Sequence, residues 1–129
     1  MSGNSSRPLN EREVALLNLL LSVDFPGVDR LRDQVPACRV AGPWSVGSAS
    51  VDLVVADAAA AAESVNDGPA PITACVYQPA GELIGELLVW IGAGRLTAIE
   101  CAWFTDDAPA LPPDATQVVA RQDRRHHPH

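Results

Sequence analysis

Arg39 and Trp44 are the residues of this 129-residue chain whose types and setting best suit binding. They sit beside or within Gly42-Pro43-Trp44-Ser45-Val46-Gly47-Ser48, a loop by composition. Tryptophan and arginine are the anchors that protein interfaces favour, and loops carry function more often than the scaffold beneath them. Arg39 has two kinds of partner to choose from: a carboxylate on another protein, or Asp106 or Asp107 of the same chain. The competing reading tucks Trp44 over the core. A second set is acidic: Asp52, Glu86 and Glu100 all fall in strand-like runs. Two carboxylates facing each other can hold a metal or share an acid–base step, whereas solvated glutamates on an exposed sheet face need no function.

The other reactive residues are poorly placed for catalysis. Cys38, Cys75 and Cys101 are isolated, odd in number and without C-x-x-C spacing, which fits reduced thiols better than a disulfide framework. A nucleophilic thiol wants a basic neighbour, and the only histidines are His126, His127 and His129 at the far end. Those three are the composition of a metal-binding tract, but also of an ordinary polar tail. Asp106-Asp107 follows a strand, where acidic turns are common. The glycines make no phosphate loop, and no G-x-S-x-G, H-E-x-x-H or zinc spacing occurs. No catalytic residue, metal site or cofactor is therefore assigned.

Charge narrows the partners. The formal net charge is −7, from 16 acidic residues against nine basic ones, all of them arginine. An acidic chain lacks the basic footprint that sequence-independent nucleic-acid binding requires. It suits a basic partner, or simply solubility. Met1 to Arg7 has no apolar targeting segment, and Val14 to Val23 is too short to span a bilayer. A cytoplasmic protein without nucleic-acid or membrane partners is expected.

The elements that must position these residues follow from periodicity. Asn10 and Glu13 form a capping box, and the helix they start is expected to reach Val23. Its polar stripe is Glu11, Ala15, Asn18 and Ser22; the rest is apolar, so it packs across a sheet. A second helix is expected over 26–34, with Val28, Leu31 and Val35 inward and Arg30, Asp33 and Gln34 in water. Strands are expected at 39–41, 51–55 and 72–78. Asp57 to Glu63 reads as helical turns or as loop.

Leu83–Ile91 and Leu96–Phe104 are two apolar runs meeting at Gly92-Ala93-Gly94, a β-hairpin. A two-residue turn at Ala93-Gly94 sets Leu87 opposite Glu100 and Glu86 opposite Cys101. A three-residue loop sets Glu86 against Glu100, an unfavourable pair of like charges, so the shorter turn is preferred.

The fold class is thus α+β: two N-terminal helices on one face of a mainly antiparallel sheet of about five strands. Residues 9–119 form the domain, 1–8 a disordered leader and 120–129 a disordered tail. Several short motifs, Asp24-Phe25-Pro26-Gly27, Ser50-Val51-Asp52-Leu53 and Gly94-Arg95-Leu96 with Ile99-Glu100 and Asp106-Asp107, resemble those of small uncharacterised proteins of actinobacteria. The resemblance implies a host group and a single-domain architecture, with no established activity. The residues point to a non-catalytic protein-interaction module of the immunity or accessory type. It would bind an unknown protein partner as a monomer or homodimer. The alternative is a small-molecule binder or enzyme with Glu86, Glu100 or Asp52 in a pocket between sheet and helices.

Overall fold

Asn10 begins the first helix as its sequence context dictates. In the computed structural model of the chain, which describes residues 6–63, 65–106, 109 and 112–122, the Asn10 side chain accepts from the Glu13 N–H at 2.8 Å. The Glu13 carboxylate accepts in return from the Asn10 N–H at 2.9 Å. This reciprocal box satisfies two donors that a helix start leaves free. Helix α1 runs Glu11–Leu20 and ends sooner than expected, because Ser22 and Val23 donate to Leu19 and Leu20 in tight turns. Gly27, at a φ of 91°, then redirects the chain into α2, Val28–Gln34. A 3₁₀ turn at Val35–Ala37 leads into the sheet.

The strands are β1 Arg7–Pro8, β2 Cys38–Pro43, β3 Val51–Val55, β4 Gly68–Pro69, β5 Ile72–Tyr77, β6 Leu83–Gly92, β7 Arg95–Trp103 and β8 Val118–Gln122. All pairings are antiparallel, in the order β1-β2-β3-β7-β6-β5-β8, with β4 beside the far end of β6. The α+β class, the two helices and the antiparallel sheet stand as expected, but the sheet has eight strands rather than about five. β1 and β4 are two residues long and each contains a proline, so no alternation marks them. β8 is recruited from a segment beyond the prolines. The ladder thus takes in Arg7 and Pro8 at one end and runs on to Gln122 at the other, beyond the bounds of 9–119.

Leu16, Leu17, Leu20 and Leu21 of α1 and its end, with Val28 and Leu31 of α2, are at most 2% exposed. They pack in one cluster with Val51, Leu53, Ala74, Val76, Leu87, Val89, Ile91, Leu96 and Ile99 of the sheet. Both helices therefore cover one face, and alternation sends the remaining strand residues to the other.

The β6–β7 hairpin closes with the two-residue turn. Ala93 and Gly94 have φ of 51° and 75°, and Gly92 pairs with Arg95. Positive φ at both positions is the mirror-image turn whose twist matches that of the strands. The register beyond it departs from the simple count, however. Ile91 pairs with Leu96 but Trp90 with Ala98, so Thr97 is an extra, bulged residue. Leu87 consequently faces Cys101, Glu86 faces Ala102 and Glu100 faces Leu88.

Gln34 is the largest departure from expectation: it is not in water but fully buried. Its Nε2 donates to the carbonyls of Ala60 and Gly94 at 3.0 and 2.9 Å, and its Oε1 accepts from Leu96 N–H at 3.1 Å. Ala62 N–H also donates to the Gly94 carbonyl at 2.8 Å. A Cβ on Gly94 would lie 2.3 Å from the Ala62 carbonyl, so only glycine fits beneath this strap. The alanine-rich stretch over 57–63 is therefore loop: its Ala62 N–H donates to the turn, its Ala60 carbonyl accepts from Gln34 and its Asp57 and Ala59 carbonyls from Arg95, in place of a helix of its own.

Replacing Gln34 by Ala strands the Leu96 N–H and removes a donor from two carbonyls. We expect a loss of about 3 kcal/mol, in the range for buried groups left unpaired. Urea unfolding of the native and Gln34→Ala proteins checks this, read as a drop in midpoint at constant m-value.

Candidate functional site

The side of the sheet away from the helices gathers most of the residues that invited chemistry. Arg39 pairs with Val54 across β2–β3, and Asp52 pairs with Ala98 across β3–β7. Glu86, Leu88 and Trp90 of β6 lie opposite Ala102, Glu100 and Ala98 of β7. Thr73, Cys75 and Tyr77 continue the face on β5, and Val119 and Arg121 on β8. Among the described residues no helix lies over this outer face. Leu88 and Trp90 are only partly buried, and Val54, Leu83 and Val119 are 46%, 45% and 53% exposed.

Trp44 joins the same face. The β2 ladder shifts at Ala41, after which Gly42 pairs with Asp52 and Pro43 with Val51. Alternation carries Trp44 to the outer side, where its N–H donates to the Ser50 carbonyl at 3.0 Å. Trp44 is 45% exposed, although the fully exposed tip of the loop is Val46. Arg39 and Trp44 share the β2 margin but not a point: five residues of extended chain separate them by roughly 15 Å. Arg39 is also engaged within the chain, where its Nε and one terminal nitrogen donate to the Ser6 hydroxyl and carbonyl at 3.1 and 2.8 Å. This pins β1 to the sheet edge. Asp106 is exposed and accepts nothing from Arg39. Asp107 and the histidines 126, 127 and 129 lie outside the described residues.

The bulge at Thr97 decides where Glu100 goes. It places Glu100 beside Leu88 on the outer face, diagonal to Trp90, whose indole N–H donates to its carboxylate at 2.9 Å. The spacing gave no hint of this contact, because the bulge has no sequence mark. Two clefts open elsewhere on the surface. One, of about 310 Å³, lies between the start of α1 and β2 and includes Arg7, Glu13 and Val40. The other, of about 540 Å³, is lined by Phe25, Asp67, Pro69 and Ile91 among others. Neither is lined by Asp52, Glu86 or Glu100. No cluster of three histidine, cysteine or acidic residues able to hold a metal occurs among the described residues.

The buried charge of the molecule is structural. Glu13 accepts two bonds from the Arg7 guanidinium, at 2.8 and 2.7 Å, besides its capping bond. Burial pushes its carboxyl up, but the bonds from Arg7 and from the Asn10 N–H, with the Arg7 charge, outweigh burial and hold it below the usual range. Burial, with the charge of Glu13, raises the Cys38 thiol to about 11. Burial, with the charge of Glu100, raises Cys101 to about 12. Both are protonated and hidden, the opposite of an activated nucleophile. Cys75 is half-buried on the outer face, and all three cysteines are unpaired. No family model, curated protein or solved structure matches the chain.

Two outcomes are expected. Because the carboxyl of Glu13 is depressed in the fold, its stabilisation is complete above about pH 4.3 and is lost as pH falls through the lower folded value. Glu13→Gln should therefore weaken the fold at pH 7 and flatten its acid dependence below about pH 4.3, read from thermal melts as the pH is lowered. In the native protein at pH 8, iodoacetamide should leave Cys38 and Cys101 unmodified until denaturant is added, as followed by mass spectrometry.

Proposed function

We propose that this chain is a non-catalytic protein-interaction module that docks its partner on the outer sheet face, with Trp44 and Arg39 along the β2 margin. The observation that carries the reading is the one-sided coverage of the sheet. Both helices bury the inner face, while Leu88, Trp90, Val54 and Val119 on the other stand without a covering element among the described residues. Aliphatic and aromatic side chains left uncovered on one face, with charged residues among them, are the composition of a protein contact. The carboxylates that an enzyme of this fold would need between sheet and helices project instead from the outer face, and the space between is filled by leucine, isoleucine and valine. An actinobacterial source and a cytoplasmic setting belong to the same proposal, on the motifs and charge described above. No helix of the described residues is long and apolar enough to cross a membrane.

Trp44→Ala tests the reading. With its side chain 45% exposed and no side-chain hydrogen bond among the described residues, its loss should change stability by no more than about 0.5 kcal/mol. Affinity capture from the source organism, followed by mass spectrometry, should recover a protein with the native chain and lose it with the variant. A melting temperature that falls by many degrees, or a native chain that captures nothing above background, would overturn the assignment.

A further inference from the structure

The outer face carries its charge in a pattern. Asp52 on β3 lies opposite Ala98 of β7; two residues on, β7 presents Glu100; Glu100 lies opposite Leu88 of β6, and two residues back β6 presents Glu86. Each carboxylate is the diagonal neighbour of the next, about 7–8 Å away. Together they draw one straight acidic diagonal across the three central strands. Tryptophans flank it: Trp90 on one side, bonded to Glu100, and Trp44 on the other, in line with Ser50. Among the described residues the register puts three arginines on this face: Arg39 on β2, bound to Ser6; Arg121 on β8; and Arg95 at the hairpin end of β7, whose terminal nitrogen is held by the carbonyls of Asp57 and Ala59. None of the three carboxylates makes an ion pair within the described residues.

We propose that this face docks an extended polypeptide segment of the partner that carries arginine or lysine at alternate positions. The inference rests on the outer face being the docking surface. Complementarity of charge and spacing supports it. Same-side residues of an extended chain recur every 6.6–6.8 Å or so, close to the step between the carboxylates. An arginine lying between Glu100 and Trp90 meets a carboxylate and an aromatic face at once. The aliphatic stems of those cations lie over Leu88 and Ala102. A second copy of the chain is disfavoured, because two such diagonals brought face to face would repel.

The probe is a synthetic peptide of alternating arginine and valine, titrated into the isotopically labelled full chain. Amide shifts should concentrate on β6 and β7 and include the indole N–H of Trp90. Neutralising the diagonal with Asp52→Asn, Glu86→Gln and Glu100→Gln should weaken binding about tenfold, equivalent to about 1.4 kcal/mol over three exposed pairs. The matched control, Glu11→Gln, Asp33→Asn and Glu63→Gln, removes the same charge from other surfaces and should change it by less than about twofold. The affinity should also fall with added salt. Equal weakening by both triple variants, shifts spread over the molecule, or sedimentation showing that the native chain dimerises through this face would overturn the inference. Partner capture separates its failure from that of the broader reading. Capture lost in Leu88→Arg but kept when the diagonal is neutralised defeats the cationic segment alone. Capture insensitive to both Leu88→Arg and Trp44→Ala defeats the docking surface itself.

Discussion

The side-chain amide of Gln34 joins three parts of the chain that are far apart in sequence. It is the last residue of a seven-residue helix, it holds the carbonyls of Ala60 and Gly94, and it receives the N–H of Leu96. A helix of two turns has little stability of its own, so its position must come from tertiary contacts. Gln34 supplies the polar part of them and Val28 and Leu31 the apolar part. The same amide fixes the strap over 60–62 against the hairpin turn, where the absent side chain of Gly94 makes room for it. Arg95 closes the other side, with one terminal nitrogen shared between the carbonyls of Asp57 and Ala59. A polar group at the junction of helix, strap and turn gives directional constraints that packing alone would leave loose.

With the hairpin end anchored, the bulge at Thr97 controls what the sheet displays. A one-residue slip exchanges the faces of a strand. Between Leu96 and Ala98 that exchange is built in, so Leu96 and Ile99 both reach the core although three positions apart. Beyond the bulge the outer face receives Ala98, Glu100 and Ala102. Two small residues flank one acid, leaving space beside the larger side chains of β6, and Ala98 itself is only 4% exposed opposite Trp90. The middle carboxylate of the acidic diagonal and its bond to Trp90 are thus consequences of one extra residue.

The edges of the sheet are handled differently. At the β2 edge the short strand β1 is held by three links: the β1–β2 ladder, the Arg39–Ser6 bonds, and the bidentate pair of Arg7 with the buried Glu13. Glu13 thereby serves helix initiation and strand attachment with one carboxylate, and its burial is compensated by bonds to both oxygens. At the opposite edge β8 pairs with β5 over five residues, and Gln122 donates to the Asp24 carbonyl at 2.7 Å, tying that strand to the break between the helices.

Local chemistry in the sequence determined the capping box at Asn10 and Glu13, the break at Asp24–Gly27, the strand at Val51–Val55 and the hairpin with its Ala93-Gly94 turn. Each depends on neighbours within a few residues, and periodicity or turn preference records such neighbours directly. The exposed stripe of α1 was legible for the same reason, whereas between a core lid and an exposed Trp44 the sequence did not choose. Tertiary structure alone decided the rest. Gln34 stands at the helical spacing of Leu31, on the buried stripe, but a polar residue there is buried only because carbonyls and an N–H from 26 to 62 positions away arrive to meet it. The bulge at Thr97, and with it the place of Glu100, answers to packing against neighbouring strands. β1, β4 and β8 exist because neighbouring strands offered open edges: β1 and β4 are two-residue segments with a proline, and β8, Val118–Gln122, carries no strict alternation. The outer face is likewise a product of assembly: Asp52, Glu86 and Glu100 are ordinary strand carboxylates in sequence, and only strand order and register set them in line.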